Sequence, residues 1–182
     1  TRGGYAEPGP ASASANPHAR VISLPKNRGQ ATALLTGLQT AAGELIFTMD
    51  GDGQNDPQDF PPLLELLQRQ NLDVACGWRR DRHDSVVRRL MSRLANTIRR
   101  RVLHDGLHDA GCQLRVFHRK VIGALRPSPL MQSFLPAMAV AAGYRVGELP
   151  VRHHPRTQGE SKYGLGNLWW RPCTEMMRLR RE

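Results

Sequence analysis

Leu45-Ile46-Phe47-Thr48-Met49-Asp50-Gly51-Asp52-Gly53-Gln54 is the stretch that decides the fold. A nearly all-apolar run ends abruptly in two carboxylates separated by one glycine. Such a run is what a central parallel strand, buried on both faces, requires. In an open parallel sheet, ligands bind beyond the carboxyl ends of the strands, so the acidic turn stands where chemistry is expected. Two carboxylates one residue apart can approach the same divalent cation, and Gln54 adds a neutral oxygen. Hard oxygen donors of this kind select Mg²⁺ or Mn²⁺, ions that commonly bridge a protein carboxylate to substrate phosphates. A polar turn is the commoner fate of such a tripeptide, and its place after a buried strand is what argues for a site.

Strand and helix alternate on both sides of this turn. Upstream, Val21 to Leu24 reads as a short strand ended by Pro25, and Ala31, Leu34, Leu35, Leu38, Ala41 and Ala42 recur at helical spacing. Downstream, a helix follows Pro57 through Leu63, Leu64, Leu66 and Leu67, and a strand runs from Leu72 to Cys76, closed by Gly77. The two apolar strands, each short and separated by a helix, are predicted to be parallel neighbours. Ser85 to Leu103 reads as a long amphipathic helix, with Val86, Val87, Leu90, Leu94, Ile98 and Val102 on one face and arginines around it. A strand at Gln113–Phe117, a helix at Gln132–Ala142, a strand at Arg145–Val151 and a helical tail from Leu165 complete the pattern. This alternation predicts an α/β fold, a mostly parallel sheet flanked by helices. Residues 1–19 show no apolar period and read as a flexible or foreign leader, and 171–182 as a basic C-terminal helix leading towards membrane segments.

Two further clusters carry chemistry. Asp109-Ala110-Gly111-Cys112-Gln113-Leu114-Arg115 places an acid before a glycine turn and an arginine on the next strand. Arg152-His153-His154-Pro155-Arg156-Thr157-Gln158-Gly159-Glu160-Ser161-Lys162-Tyr163-Gly164 is a donor-rich loop suited to gripping and releasing a phosphate or diphosphate. Either cluster alone reads equally well as a solvated surface loop. His153 and His154 read as orienting or structural residues, because no third His or Cys stands at metal-ligand spacing.

The 182 residues suit one domain, and the net charge of +10 points to an anionic partner. Lys26, Lys120 and Lys162 are the only lysines, which leaves 23 of the 26 basic residues as arginine, the better bidentate phosphate clamp. Charge alone fits phosphate ligands, acidic lipid and nucleic acid alike. Cys76, Cys112 and Cys173 lie far apart, which argues against a zinc knuckle or disulfide framework and for a reducing cytosolic setting. No apolar run approaches the roughly 18 to 20 residues that span a bilayer.

Taken in order, Asn27-Arg28-Gly29-Gln30, Met49 to Pro57, Cys76-Gly77-Trp78-Arg79, Asp109-x-Gly111-Cys112-x-x-Arg115 and Arg156-x-x-Gly159-x-Ser161-Lys162-Tyr163 resemble a family 2 glycosyltransferase. Within that family the resemblance is to polyprenyl- or dolichyl-phosphate glycosyltransferases, and it covers roughly residues 20–170. It implies a GT-A fold, a nucleotide-sugar donor (UDP- or GDP-linked), Mg²⁺ or Mn²⁺, and a polyprenyl phosphate acceptor at the cytoplasmic face of the inner membrane. By the same resemblance, Asp50, Asp52 and Gln54 would hold metal and diphosphate. Arg115, Arg156 and Lys162 would grip phosphates, Asp109 and Ser161 would order that site, and Arg28, Gly29, Arg79 and Tyr163 would contact substrate.

The family's opening strand with its Pro-x-x-Asn-Glu-like turn and its Asp-Asp-Gly-Ser-like motif do not occur in residues 1–20, so a partial domain, truncated at the N-terminus, is predicted. The reaction implied is an inverting displacement in which an already ionised phosphate attacks the anomeric carbon, needing little general base. The basic helix and the tail's Trp169 and Trp170 would lie on the acidic membrane surface, and the helix reads equally well as simple packing with a solvated basic face. An inactive fragment of such a transferase is one competing reading. A nucleic-acid-binding module is the other, opposed by 5% aromatic content and by an acidic turn that would repel phosphate.

Overall fold

The computed structural model describes residues 18–80 and 86–154, together with Met177. The leader up to residue 17, the loop carrying Arg156, Ser161, Lys162 and Tyr163, and the tail with Trp169 and Trp170 lie outside the described residues.

Four strands form one sheet: β1 (Leu45–Thr48), β2 (Val74–Trp78), β3 (Arg115–His118) and β4 (Val146–Pro150), in the order β1-β3-β2-β4. β3 is antiparallel to both β1 and β2, and β2 is parallel to β4. Three strands therefore share one direction. The expectation that β1 and β2 are neighbours is corrected: they run the same way in the same sheet, but β3 is inserted between them. An antiparallel strand at that place satisfies both neighbours' backbone groups as well as a parallel one would, and apolar patterning does not distinguish the two.

β1 is also an edge strand among the described residues, not a central one. Ile46 is buried, whereas Phe47 and Met49 are 45% and 43% exposed. The expected strand at 21–24 is absent. These residues carry no regular structure, and Val21 and Ile22 are exposed, because none of the four strands offers them a backbone ladder.

The helices are α1 (Gln30–Thr40), α2 (Phe60–Arg69), α3 (Val86–Leu103) and α4 (Met131–Ala141). The chain enters α1 through Gly29, whose φ of 84° lies in the region open to glycine, and the Asn27 carboxamide oxygen accepts from the Gly29 amide. α2 starts through a 3₁₀ turn at Pro57–Asp59 that Asp56 caps, and Pro61 and Pro62 fall in its first turn, where their missing N–H groups leave no helical bond unmade.

Strand alternation divides the core between the sheet's two faces. Val74, Cys76 and Phe117 point to the face covered by α1 and α4, where Leu38, Phe134, Leu135 and Met138 fill the space. Ala75, Leu114 and Val116 point to the face covered by Leu63 and Leu67 of α2. α3 departs from its expected packing. Val102 reaches the first cluster, but Leu94 and Ile98 are 50% and 37% exposed.

Candidate functional site

The carboxyl ends of β1, β2 and β4 and the start of β3 meet at one edge of the sheet, and every described motif residue is carried there or close behind it. The acidic turn follows β1. Asp50 accepts from the Gln30 side chain at 3.1 Å, which draws the N-terminus of α1, with Arg28 and Gly29, towards the turn. Asp52 accepts from the Gln54 amide at 3.1 Å, and the Asn55 side chain accepts from the Asp50 amide at 3.3 Å.

From there the chain crosses to the segment after β4, where Asn55 and His153 form a β-bridge and the His154 amide donates to the Gln54 carbonyl at 3.0 Å. The side chains of Gln54 and His153 approach to 3.4 Å. Arg152 clamps this crossing, with its amide and Nε on the two oxygens of Asp59 (2.8 and 3.0 Å) and Nη1 on Asp56 at 3.1 Å. The Gln58 amide, aided by His154 and Arg152 and opposed by partial burial, holds the Asp56 carboxyl below its ordinary range. The described segment Arg152 to His154 is thereby fastened to the acidic turn. Residue chemistry alone suggests nothing of this link; its signal is the polar run Asn55 to Asp59, which reads as a helix start.

A second structure stands behind β2. Arg79 donates to both oxygens of Asp109, Nε at 2.7 Å and Nη2 at 3.0 Å, while the Gly111 amide donates to Asp109 at 3.0 Å. A Cβ on Gly111 would stand 2.7 Å from Arg79 Nη2, which explains glycine at that position. The motifs around Arg79 and Asp109, far apart in sequence, are thus two halves of one bidentate pair.

Next to this pair opens a cleft of about 410 Å³. Trp78 and His108, stacked at 4.4 Å, form part of its wall, and the His108 backbone and ring are both held by Glu148 of β4. α3 contributes Arg93, Asn96, Thr97 and Arg100, and Arg80 adds a further cation. With Arg79 matched by Asp109, the remaining arginines give the cleft an excess of positive charge.

Arg115 is not in the cleft. It is fully buried, with Nη1 on the Gln132 carbonyl (2.6 Å) and Nη2 on that of Ala110 (2.9 Å), so in this structure it touches no phosphate-accessible space. Arg93, Arg100 and His108 are among the cleft residues to which the sequence assigned no site role, together with Arg80, Ser92, Asn96 and Thr97. The signal for the first two is their spacing: 93, 96, 97 and 100 fall on one helical face.

Among the described residues no three His, Cys, Asp or Glu side chains converge as a metal cage, and no helix is long and apolar enough to cross a membrane. The acidic turn nonetheless fits Mg²⁺ or Mn²⁺. Two carboxylates and an amide oxygen are the donor set of an ion whose coordination the substrate phosphates complete.

An α/β sheet with an acidic metal-type turn and a cationic cleft on one edge is the layout of a glycosyltransferase of the GT-A fold. Residues 7–126 match glycosyl transferase family 2, and the chain belongs to that family. It is 41% identical over 153 residues to the dodecaprenyl-phosphate galacturonate synthase of Rhizobium johnstonii, covering 82% of this chain and 45% of that protein. It is 39% identical to the undecaprenyl-phosphate 4-deoxy-4-formamido-L-arabinose transferase of Edwardsiella ictaluri, covering 86% and 48%. The chain thus spans about half the length of the curated relatives it matches. The fold is shared with glucosyl-3-phosphoglycerate synthase of Mycobacterium tuberculosis in complex with Mn²⁺ and UDP-glucose, at a TM-score of 0.59 and 17% identity, over 86% of this chain and 56% of that one.

Proposed function

We propose that this chain serves the inverting transfer of a sugar from a UDP- or GDP-linked donor to a polyprenyl phosphate, at the cytoplasmic face of a membrane with an acidic surface. The observation that carries this reading is the placement of the acidic turn and the cationic cleft on one edge of the sheet. The named substrates of the two curated relatives, both polyprenyl phosphates, support the acceptor class.

Asp50, Asp52 and Gln54 would hold Mg²⁺ or Mn²⁺, which supplies charge neutralisation for the leaving diphosphate. The N-terminus of α1, with Arg28 and Gly29, faces the same diphosphate with the positive end of its helix dipole. In the cleft, Arg93 and Arg100 bind the acceptor phosphate, the role first expected of Arg115. Asp109 fixes the plane of Arg79 at the cleft's inner wall. The acceptor oxygen is already ionised at neutral pH, so orientation towards the anomeric carbon does the work that a general base would do elsewhere. Arg156, Ser161, Lys162 and Tyr163, on the loop that follows the clamped Arg152, close over both phosphates.

The test is transfer of labelled sugar to a short-chain prenyl phosphate with Mg²⁺ or Mn²⁺, alongside metal-dependent nucleotide binding. Asp52→Ala is expected to lower transfer by several powers of ten, because the diphosphate charge is left uncompensated. Arg100→Ala is expected to raise KM for the prenyl phosphate while nucleotide binding persists. Undiminished transfer by Asp52→Ala in excess chelator overturns the reading.

A further inference from the structure

His108 is an exposed imidazole that the fold holds in one orientation. Its side chain is 48% exposed, yet Glu148 of β4, only 12% exposed, accepts from the His108 amide at 2.9 Å on each oxygen and also from ring Nδ1. Trp78 of β2 stacks on the ring at 4.4 Å between centroids and 19° between planes. The preceding residue is held as firmly. Arg99 Nη2 donates to the Leu107 carbonyl at 2.5 Å, Asp105 accepts from the Leu107 amide at 3.3 Å, and the two side chains pair at 3.1 Å beneath the surface. Burial lowers Arg99 and raises Asp105 from their ordinary values against their mutual attraction, so the pair is kept from water at a cost. Contacts of this number around a half-exposed ring are the support that a ligand-binding group requires.

A carboxylate only accepts, so Nδ1 carries a proton, while Nε2 bonds to none of the described residues and the ring lines the cleft. In the imidazolium both nitrogens donate. We propose that His108, oriented by Glu148 and Trp78, is a phosphate ligand of the cleft: as imidazolium it donates from Nε2 to an oxygen of the acceptor's phosphate monoester and from Nδ1 to Glu148. The proposal rests on the transferase reading and deepens it, because the phosphate held by Arg93 and Arg100 of α3 then gains a third donor from the segment that follows the helix. A donor diphosphate shares this chemistry, and separate titrations distinguish the two.

Calorimetric titration of the full 182-residue chain with a short-chain prenyl phosphate, and separately with UDP and GDP in Mg²⁺, tests this. His108→Phe keeps a flat ring against Trp78 and removes both nitrogens. It is expected to weaken prenyl phosphate binding by about tenfold or more, with nucleotide binding and Tm near wild type. His108→Asn keeps an amide donor for Glu148 but has nothing in the place of Nε2, and is expected to lose the same affinity. The ratio of the Kd of His108→Phe to that of the wild type is expected to grow as pH falls, since only the wild type can take up the second ring proton. The phosphate's own second ionisation, with a pKa of about 6, is common to both titrations and cancels in the ratio. Glu148 and Asp109, Arg79 and Arg80 after β2, and Arg93 and Arg100 of α3 surround the ring and are the same in both proteins.

Prenyl phosphate affinity equal to wild type in either variant overturns the proposal, as does a ratio that stays flat with pH. So does a loss confined to nucleotide binding, which assigns the cleft to the donor. Wild-type chain that binds prenyl phosphate irrespective of His108 overturns this proposal alone. Wild-type chain that binds no prenyl phosphate overturns the acceptor reading of the cleft together with it, so the two failures are told apart.

Discussion

Arg115 occupies the place of the backbone N–H that Pro136 lacks. In a regular helix the amide of residue 136 would donate to the Gln132 carbonyl, but proline has no such proton. The Arg115 guanidinium, fully buried on β3, donates to that carbonyl at 2.6 Å and to the Ala110 carbonyl at 2.9 Å. Arg115→Met is expected to destabilise the fold, since each buried carbonyl left without a donor costs about 1–3 kcal/mol. Pro136→Ala supplies the missing helical donor. In its background Arg115→Met should cost less, with a coupling of about 0.5–3 kcal/mol in a urea-denaturation double-mutant cycle. Strict additivity would contradict the relationship.

Gly111→Ala acts on the other arginine. Its new Cβ would stand 2.7 Å from Arg79 Nη2 and 3.3 Å from Asp109 Oδ1, so the guanidinium must leave its bidentate seat. A loss of about 1–3 kcal/mol is expected for such overpacking. Arg79→Ala removes the obstructing group, so Gly111→Ala should cost little in that background. Unfolding midpoints for the four proteins decide the matter.

The fold class was legible because β1 and β2 are short and apolar and because α1, α2 and α4 carry helical spacing at nearly their observed bounds. The strand order was not. Arg115 to His118 has the composition of a strand, but nothing in it states that it runs antiparallel between β1 and β2. The acidic turn was legible because two carboxylates directly after an apolar strand conflict with burial. Arg115 misled for the converse reason. An arginine on a strand near a glycine turn looks like a ligand-binding group, and its real partner, the carbonyl freed by Pro136, lies in a helix seventeen residues on. The exposure of Leu94 and Ile98 was equally hidden, since periodicity identifies an apolar face without saying what covers it.

Cys76 and Cys112 are both buried, and burial pushes their thiols up to about 12 and about 11. A thiol at that value supplies almost no thiolate at neutral pH, and neither sulfur is open to solvent. Neither should react with a thiol-specific alkylating reagent in the folded protein, and both should react in urea. Mass-spectrometric mapping checks this, and rapid native labelling at Cys76 would show that the sheet opens at β2.

Asp73 gives the fold a pH dependence away from the site, at the amino end of β2. Burial alone would raise its carboxyl, but Lys120 at 2.6 Å and the Arg145 amide at 2.8 Å outweigh it, and the carboxyl sits below its ordinary value. A lowered value means that the fold prefers the ionised form. The stabilisation is therefore complete above the unfolded-state pKa of about 3.9 and is lost as pH falls through the lower folded-state value. Asp73→Asn keeps an acceptor for the Arg145 amide and removes the charge. At neutral pH the variant should be less stable than the wild type, and the gap should narrow as the pH drops below about 4, by at most ~1.4 kcal/mol per pH unit for one proton. All other carboxylates titrate in both proteins, so the difference between their urea midpoints isolates Asp73. A gap that stays constant into acid would mean that the carboxylate charge contributes nothing, and that the amide contact alone accounts for its place.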